Sequence, residues 1–362
     1  MTLLTLASDL GGWTHDLNPI IFTVFGLSVR WYGLSYLAGI FVGYLLLRRL
    51  ARRNLVLIPA HRAEDFVLIM AFGIIIGGRL GYCLFYEPDL LWTFDSSFPF
   101  WGVLMIARGG MASHGGMIGV ILAAWRISRG FRTNDGSIEG RTSFRHVADV
   151  VAALAPFGLF FGRLANFVNG ELLGKIVALP GHPAPWWAVR YPQELLTGHA
   201  PELSLDQTMR LTHLIDANRL PGEDDAAAVE RMIARIQHGA PNLKAQLEPL
   251  LAARHPSQLY QAAAEGLILG LVLWWIWRKP RTPGVIGCWF LIIYGVLRVV
   301  TEVWRLPDDN LAVQRIAGLS RGQWLSVVMV LAGAAILFRI RKLGGEKVGG
   351  WMTPRPAQAV SD

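Results

Sequence analysis

Seven long apolar runs constrain this chain more than any other feature of its sequence. A transmembrane helix needs about 17–25 mostly apolar residues to cross the hydrocarbon core of a bilayer, and each run meets that length. The runs are continuous, whereas the strands of a membrane barrel alternate in polarity over about ten residues. They lie near residues 28–47, 64–86, 112–128, 147–169, 257–277, 284–304 and 322–340. We therefore predict an all-α integral membrane protein with seven transmembrane helices.

The composition agrees with a membrane location. Only 17% of the 362 residues are charged, against about 25% in a typical soluble domain, and the mean hydropathy is +0.38. The 14 tryptophans fit the aromatic belts found at membrane interfaces. The net charge of +8 could indicate a nucleic-acid partner, but its distribution along the chain indicates membrane topology instead. We expect no nucleic-acid partner.

Positive residues gather in alternate connections between the apolar runs. Five follow each of the first, third and seventh runs, and three follow the fifth. The short connections on the other side hold only Arg108, Arg305, Arg315 and Arg321. Because lysine and arginine collect on the cytoplasmic side, we expect the N-terminus outside and the C-terminus in the cytoplasm.

A polar stretch, residues 172–254, separates the fourth and fifth runs and falls on the outer side. Two of its segments, "LDQTMRLTHLIDANR" and "DDAAAVERMIARIQHG", have helical periodicity. Its many charges and its prolines argue against a further span. We therefore predict a helical extramembrane insert within a single polytopic membrane domain that covers residues 1–362.

Polar side chains interrupt the apolar runs at one common depth. With the orientation above they lie near the outer ends of the spans, and the inner halves hold almost no ionisable group. An ionisable side chain at membrane depth is unfavourable and marks a functional site by default. One such residue could form a structural ion pair, but a set drawn from six spans predicts a site. The set comprises Tyr32, Arg79, His114, Arg163, Asn166, His255, Gln258, Tyr260, Arg298, Glu302 and Arg305.

Two spans carry polar stripes with helical spacing. The first, in "GRLANFVNGE" (162–171), consists of Arg163, Asn166 and Asn169, followed by Glu171. The second consists of Tyr294, Arg298, Glu302 and Arg305. Glu302 can pair with Arg298 one turn earlier and orient its guanidinium. The sequence leaves open whether this pair is functional or only a satisfied buried pair.

The stretch "ARGGMASHGGMIGV" (107–120) places glycines on both sides of His114, just before an apolar helix. A glycine-rich helix N-terminus exposes backbone N–H groups and suits an anion. A lone histidine is more often a hydrogen-bonded structural residue. The glycines and the neighbouring arginines favour a functional histidine here.

These residues point to chemistry on a lipid phosphate. Arginines that face one site near the lipid headgroups suggest bidentate recognition of a phosphate, and an imidazole can accept a proton from a nucleophile. The sequence has no Ser-His-Asp spacing, no metal-ligand cluster and no glycine-rich nucleotide loop. The residues alone therefore indicate action on an anionic lipid, through proton transfer and headgroup displacement.

Two other functional classes fit part of the pattern. A transporter or channel would distribute polar residues across the whole membrane, whereas here they stop at the outer half. A non-catalytic lipid-binding scaffold would need the arginines but not the His-Gly-Gly element.

Six motifs along the chain match one known family in its order. They are "VRWYGLSYLAG" (29–39), "GGRLGYCLFY" (77–86), "HGGMIG" (114–119), "GRLANFVNGE" (162–171), "RHPSQLYQ" (254–261) and "YGVLRVVTEVWR" (294–305). Together they resemble the prolipoprotein diacylglyceryl transferases, whose signature is GRxGNFxNGE. The matches cover the first six spans; any one alone would be weak, but the set is specific.

The resemblance implies a seven-span enzyme of the bacterial inner membrane with its active site toward the outer leaflet. Such an enzyme transfers the diacylglyceryl group of phosphatidylglycerol to the lipobox cysteine thiol of a preprolipoprotein. A thioether forms and glycerol phosphate leaves, in the first step of lipoprotein maturation. The expected partners are phosphatidylglycerol, the preprolipoprotein signal peptide and membrane lipids. We expect no cofactor and no metal.

The resemblance also implies roles for individual residues. The expected catalytic residues are His114, as a candidate base, Arg163 and Arg298. The expected phosphatidylglycerol-binding residues are Tyr32, Arg79, Asn166, Asn169, Glu171, Tyr294, Glu302 and Arg305.

Three features depart from the family pattern. Ala165 replaces the usual glycine of the signature, and its methyl group could tighten helix packing. Gln261 replaces the usual glutamate after "QLY", which removes a charge at that position. The loop before "RHPSQLY" is much longer than usual.

Overall fold

The computed structural model describes residues 10–24, 27–96, 98–106, 109–306, 315–316 and 318–352. Arg108, counted above for topology, lies outside these residues. The helices of the described part are α1 (Trp31–Arg52), α2 (Ala63–Phe85), α3 (Ser113–Ser128), α4 (Phe144–Asn169), α5 (Leu205–Asn218), α6 (Asp225–Gln237), α7 (Pro241–Leu247), α8 (Ser257–Gln261), α9 (Leu269–Ile276), α10 (Val285–Thr301) and α11 (Arg321–Leu343). A π-helical segment, Ala262–Ile268, joins α8 to α9.

Six helical segments among the described residues are long and apolar enough to cross a membrane. They are Trp31–Arg52, Ala60–Phe85, Phe144–Asn169, Ser257–Ile276, Val285–Trp304 and Gly322–Leu343. Only 22% to 44% of each apolar window is buried inside the protein. Apolar surface exposed on this scale requires a lipid environment in place of water. The chain is therefore a mostly helical integral membrane protein, and six of the seven predicted runs form helices of spanning length.

The third predicted run, 112–128, forms α3, which has 16 residues and is shorter than those six segments. Its glycines pack directly on α2. A Cβ added to Gly119 would fall 1.9 Å from the carbonyl oxygen of Gly73, and one added to Gly115 would fall 2.2 Å from that of Gly77. The two helix backbones therefore touch, as at other small-residue interfaces in membranes. Two glycines of "HGGMIG" that we associated with an anion site thus have a packing role.

Packing divides the chain into two compact units. The first comprises Met1–Ala38, Leu159–Ile268 and Tyr294–Val328, and the second comprises Gly39–Gly158, Leu269–Ile293 and Met329–Asp362. The α2–α3 pair belongs to the second unit.

Short strands accompany the helices. They are β1 (Trp13–Thr14), β2 (Ile20–Val24), β3 (Leu27–Arg30), β4 (Phe131–Arg132), β5 (Ile138–Glu139), β6 (Ile176–Ala178), β7 (Val189–Arg190), β8 (Ala253–Arg254), β9 (Arg315–Ile316) and β10 (Leu319–Ser320). The pairs β2–β3, β4–β5 and β9–β10 are antiparallel. The other four strands form a sheet of the first unit in the order β1-β7-β8-β6. Only β1–β7 is parallel in this sheet, and Val189 of β7 lies between Trp13 and Arg254.

The polar stretch 172–254 contains α5, α6 and α7 together with most of that sheet. Both predicted helical patterns are confirmed: a capping box of Ser204 and Gln207 begins α5, and Asp224 caps α6. The helices share an apolar core of Leu214, Met232, Ile236, Leu243, Leu247 and Leu251. The expectation of a helical insert was incomplete, because strands of two or three residues are too short to show an alternating pattern.

A fully buried ion pair joins the sheet to the segment before α5. The Nε of Arg254 donates to Oε2 of Glu194 over 2.6 Å, and the Ala252 amide donates to Oε1 over 2.8 Å. Arg254 also donates to the carbonyl oxygens of Gly174 and His199. Burial raises the pKa of Glu194, an effect that Arg254 partly offsets. The arginine of "RHPSQLYQ" therefore holds the insert together.

Candidate active site

A single carboxylate joins two predicted arginines in the first unit. Nη2 and Nε of Arg163, on α4, lie 3.1 Å and 3.3 Å from Oε2 of Glu265. Nη1 of Arg298, on α10, lies 3.7 Å from Oε1 of the same side chain. The Glu265 side chain is completely buried, whereas those of Arg163 and Arg298 are 19% and 14% exposed. The structure thus brings together two arginines that are 135 positions apart in the sequence.

Glu265 lies in the π-helical segment between α8 and α9. A π-helical turn inserts an extra residue into a helix and so changes which side chains face its neighbours, and such turns are frequent at functional sites. Thr301 donates to Oε1 of Glu265 over 3.4 Å. Both carboxylate oxygens of Glu265 therefore have partners, so the charge of this buried group is compensated.

Glu302 forms the second acidic centre. Its Oε2 lies 3.0 Å from Nη2 of Arg298, one turn earlier, and 3.7 Å from Nη1 of Arg305. Its Oε1 accepts a hydrogen bond from Ser320 over 3.4 Å. The predicted pairing of Glu302 with Arg298 is confirmed, and the guanidinium of Arg298 lies between two carboxylates.

One nitrogen of Arg298 keeps hydrogen-bonding capacity. Its Nη1 is buried, and no group among the described residues accepts a hydrogen bond from it. The 3.7 Å separation from Glu265 gives electrostatic attraction without a hydrogen bond. A buried N–H of this kind is unfavourable until an acceptor arrives. An anionic oxygen of a substrate would supply that acceptor.

Two tyrosines surround Arg163. The phenol of Tyr294, on α10, interacts with the Arg163 guanidinium. Tyr32 also lies near Arg163, and its hydroxyl accepts a 3.0 Å hydrogen bond from Tyr36, one turn further along α1. These contacts bring α1, α4 and α10 to one place.

The end of the signature folds back on itself. Nδ2 of Asn169 donates to Oε1 of Glu171 over 2.5 Å, and Nδ2 of Asn166 lies 3.5 Å from Oε2. The Glu171 amide donates to the Asn166 carbonyl over 3.0 Å. Gly170 makes this turn with φ +68°, and a Cβ there would fall 2.5 Å from the Gln193 side chain. The amide groups of Asn166 and Asn169 thus position the Glu171 side chain, and the predicted contact of both asparagines with phosphatidylglycerol stays a prediction.

Two residues of the motif "RHPSQLYQ" donate hydrogen bonds to the backbone at the same turn. Ser257 donates to the Leu172 carbonyl over 2.9 Å, and Gln258 donates to the Glu171 carbonyl. Gln258 in turn accepts from Tyr191, which packs edge-on to Phe167 of α4. Backbone pairing between Gly174 and Arg305 joins the segment after the signature to the end of α10.

Arg79 and His114 belong to the second unit. Arg79 is buried and donates to four backbone carbonyls, those of Gly102, Val103, Gly109 and Gly110, over 2.7–2.9 Å. A guanidinium has five N–H donors, and these bonds occupy most of them. The arrangement favours a role in holding the loop before α3 over the predicted contact with lipid. His114 is the second residue of α3, and its side chain is exposed.

Comparison with known proteins agrees with the motifs. A family model described as prolipoprotein diacylglyceryl transferase matches residues 19–339. The chain belongs to this family. Curated relatives bear the name phosphatidylglycerol–prolipoprotein diacylglyceryl transferase. The relative from Bdellovibrio bacteriovorus is 38% identical over 93% of this chain and 96% of its own length.

Two more distant relatives carry the same name. The one from Neisseria gonorrhoeae is 36% identical over 88% of this chain and 94% of its own length. The one from Xanthomonas axonopodis pv. citri is 35% identical over 91% of this chain and 93% of its own length. All three alignments cover nearly the whole diacylglyceryl transferase chain, so the match is not confined to the signature.

The structure shows the surroundings of the two residues that depart from the family pattern. Ala165 is buried within α4, and its methyl group is accommodated there. Gln261 is also fully buried, and neither polar atom of its amide has a hydrogen-bond partner among the described residues. The carboxylate missing from Gln261 is present one turn later, in Glu265. Glu265 is the carboxylate that contacts both Arg163 and Arg298, and Glu302 is a second acidic partner of Arg298.

Sequence reasoning missed Glu265, Thr301 and Tyr36. Glu265 could have been predicted as a site residue, because it is an ionisable residue inside an apolar run. It was missed because the matched motif ended four residues earlier. Tyr36 follows Tyr32 at helical spacing and could have been found in the same way. Thr301 gave no signal, because threonine is common in apolar helices.

Proposed function

We propose that this chain transfers the diacylglyceryl group of phosphatidylglycerol to the lipobox cysteine thiol of a preprolipoprotein, the first step of lipoprotein maturation. Family membership supports the overall reaction. The assignment of this reaction to named residues rests on one observation, the pair of arginines around the buried carboxylate of Glu265. The unused N–H of Arg298 in this cluster suits a phosphate oxygen.

The reaction is a displacement at carbon. The cysteine thiolate attacks the terminal glycerol carbon of the diacylglyceryl group, a carbon–sulfur bond forms, and the bond from that carbon to the phosphate oxygen breaks. Glycerol phosphate leaves with the electron pair of the broken bond. Negative charge therefore grows on the phosphate in the transition state, and fixed positive groups near it lower the barrier.

Arg163 and Arg298 supply that positive charge in this proposal. Two guanidiniums held close together repel each other, and Glu265 between them offsets this repulsion. Its bonds to Arg163 and Thr301 also hold the Arg163 fork in one orientation. Glu302 forms ion pairs with Arg298 and Arg305. The arginines are thus positioned before the substrate arrives, so no reorganisation is needed during the reaction.

His114 is the proposed general base. Thiolate rather than thiol is the nucleophile, so a base must take the thiol proton. Support comes from the position of His114 in "HGGMIG" at the start of α3, with its imidazole exposed. The site residues include no cluster of metal-ligand type among the described residues, and the proposed steps use no cofactor.

We further propose seven spans, with the N-terminus outside and the C-terminus in the cytoplasm. α3, with a length of about 24 Å at 1.5 Å per residue, would be the third span beside α2, tilted little because it is short. With this orientation, Arg163 and Arg298 would lie at the outer leaflet of the bacterial inner membrane, and the 172–254 insert would lie outside; the arginine distribution supports this proposal. Reagent labelling of single cysteines placed in the 172–254 insert and after α11, in intact cells, would test this orientation.

The test of function uses purified full-length chain, phosphatidylglycerol and a lipobox peptide with a free cysteine thiol. We expect the peptide mass to rise by one diacylglyceryl group and glycerol phosphate to appear in equal amount. A peptide whose cysteine is replaced by serine is the control and should remain unmodified. Tight lipid binding without any change in peptide mass would contradict the proposal and indicate a non-catalytic lipid-binding protein.

A further inference from the structure

A groove in the second unit lies at the basic end of α1 and is lined by none of the residues of the proposed reaction. It has a volume of about 250 Å³ and is lined by Leu46, Arg49, Leu50, Arg53, Leu55, Trp274 and Trp351. An adjoining cleft of about 320 Å³ is lined by Leu45 and by Arg48, Arg49, Arg52 and Arg53. The proposed transfer reaction uses none of these residues.

Residues 348–352 are held in place by hydrogen bonds, and Trp351 among them lines this groove. Val348 exchanges two backbone hydrogen bonds with Arg281, over 2.8 Å and 3.0 Å, and the Met352 amide donates to the Arg278 carbonyl over 3.2 Å. The indole Nε1 of Trp351 donates to the Trp274 carbonyl over 2.7 Å. Trp351 therefore has a defined place beside α9.

The sequence before Trp351 allows this close return of the chain. Gly349 and Gly350 have φ values of +81° and +90°. A Cβ at Gly349 would fall 2.3 Å from Nε1 of Trp277, and one at Gly350 would fall 2.4 Å from the nitrogen of Pro280. Only glycine meets both conditions. Trp274, the other indole that lines the groove, is also held in place, because its Nε1 donates to the Ala153 carbonyl over 2.9 Å.

Two arginines face this apolar wall. Arg49 lies in the last turn of α1, Arg53 directly follows the end of that helix at Arg52, and both line the groove. Among the described residues, no salt bridge joins either of them to a carboxylate. Two adjacent guanidiniums without an acidic partner favour an anion between them, and a fork of N–H donors fits the oxygens of a phosphate.

The mixture of groups selects the kind of anion. Leu46, Leu50 and the two indoles would be poor surroundings for a free, fully hydrated phosphate ion, but they suit the glycerol and upper acyl region of a lipid. Tryptophan is enriched where headgroup meets hydrocarbon, and basic pockets between transmembrane helices bind anionic lipid headgroups. We infer that this groove binds the headgroup of an anionic phospholipid, with its phosphate on Arg49 and Arg53 and its acyl chains along α1 and Trp274.

The leaflet of this second lipid follows from the proposed topology, which places the end of α1 at the cytoplasmic side. Its binding does not depend on the transfer reaction. A negative transferase assay would therefore not contradict lipid binding in the groove. Absence of lipid binding in the groove would not contradict the proposed transfer reaction.

The experiment is native mass spectrometry of the purified full-length chain, titrated with dioleoyl phosphatidylserine and with dioleoyl phosphatidylcholine. Phosphatidylserine is used because phosphatidylglycerol is the proposed substrate. The test variant is Arg49→Gln with Arg53→Gln. The matched control is Arg339→Gln with Arg341→Gln, which removes the same charge from exposed positions of α11. Trp351→Ala removes the fixed wall without changing charge.

We expect the wild-type chain to bind phosphatidylserine more tightly than phosphatidylcholine. The Arg49/Arg53 variant should bind phosphatidylserine at least about tenfold more weakly, Trp351→Ala should weaken binding of both lipids, and the Arg339/Arg341 variant should match the wild type. Unchanged turnover with detergent-solubilised substrate would show that each variant is folded. Equal losses in the two arginine variants would overturn the inference, because binding would then follow general surface charge. Displacement of the lipid by millimolar inorganic phosphate alone would also overturn it, because the apolar wall would then contribute nothing.

Discussion

Arg163 and Glu265 form an ion pair of 3.1 Å in which the carboxylate is completely buried and the guanidinium is mostly so. Removing either partner of such a pair leaves a charge in a medium that solvates it poorly, which is strongly unfavourable. The same carboxylate attracts Arg298 from its other oxygen. Glu265 therefore couples the two arginines that we assign to the phosphate, and its charge should matter to the reaction although it need not touch the substrate.

Glu265→Gln tests this coupling. The change keeps the size of the side chain and removes its charge, so Arg163 and Arg298 would repel each other and lose their fixed orientation. We expect kcat/KM in the peptide lipidation assay to fall by at least about tenfold, or 1.4 kcal/mol, with a larger effect on kcat than on KM. Glu230→Gln, at an exposed position of α6, should have no effect. Activity of Glu265→Gln equal to wild type would show that the arginines do not need this carboxylate.

Arg298 should tolerate neither truncation nor exchange for lysine. Arg298→Ala removes the N–H groups that we propose for the departing phosphate, and we expect kcat to fall about 100- to 1,000-fold, as when one donor to a developing anion is lost. Arg298→Lys keeps the charge but not the fork that bridges Glu265 and Glu302, so it should recover only part of the loss. Steady-state kinetics of both variants measure this difference. Full activity in the lysine variant would mean that charge alone suffices.

His114→Gln should show a loss that depends on pH. Without a general base we expect the rate to fall about 100- to 10,000-fold near neutral pH. A cysteine thiol ionises by itself near pH 8.5, so the ratio of variant to wild-type rate should rise as the pH is raised toward 9. Rate profiles from pH 6 to 9, with one peptide substrate, measure that ratio. A constant ratio over this range would argue for a different base.

The membrane architecture was predictable because it rests on physics that acts along the sequence. Continuous apolar runs gave six helices of spanning length, with ends displaced by a few residues. The pairing of Glu302 with Arg298 followed from helical spacing alone. Spacing works within one helix because residues three or four apart share a face whatever the helix packs against.

Contacts between elements were less predictable. The π-helical segment that carries Glu265 is invisible to a pattern based on 3.6 residues per turn. Arg79 resembled a substrate ligand by its depth, yet its partners are four carbonyls in a loop 23 to 31 positions later. The strands of the insert are too short for periodicity, and each depends on a partner far away in the chain. Such features are decided by tertiary packing rather than by local preference.

His15 should make stability depend on pH. It directly follows β1 and is buried against Phe167 and Tyr191; its Nε2 donates to the Phe167 carbonyl, and its Nδ1 accepts from the Gln193 amide. Burial lowers the pKa of His15 to about 4 from an ordinary value of 6.5, an effect that Asp16 opposes and Lys244 reinforces. The unfolded chain therefore binds a proton between pH 6.5 and 4 that the folded chain excludes. The free energy of unfolding therefore shows no loss from His15 above pH 6.5. It falls as the pH drops below that value, by up to about 3 kcal/mol at pH 4.

Thermal unfolding in detergent between pH 7.5 and 4.5 measures this effect. The wild-type Tm should fall over the acidic part of the range, and His15→Gln, which cannot take up the proton, should lose less. His213→Gln changes an exposed histidine of α5 and should follow the wild type. Parallel curves for His15→Gln and wild type would assign the acid sensitivity to other groups.

Gly119 should be the position of α3 that is least tolerant of a methyl group. A Cβ there would fall 1.9 Å from the Gly73 carbonyl oxygen, so α2 and α3 would have to separate. At Gly116, three residues earlier on α3, the nearest atom to an added Cβ lies 3.8 Å away. We expect Gly119→Ala to destabilise the chain by about 1–3 kcal/mol or more, as overpacking of a tight interface does, and Gly116→Ala to be neutral or slightly stabilising, since alanine favours a helix. Tm values of the two variants in one detergent compare these positions directly. Equal Tm values would mean that α2 and α3 pack less closely than these distances indicate. The close approach at the glycines would then not be what stabilises the α2–α3 pair.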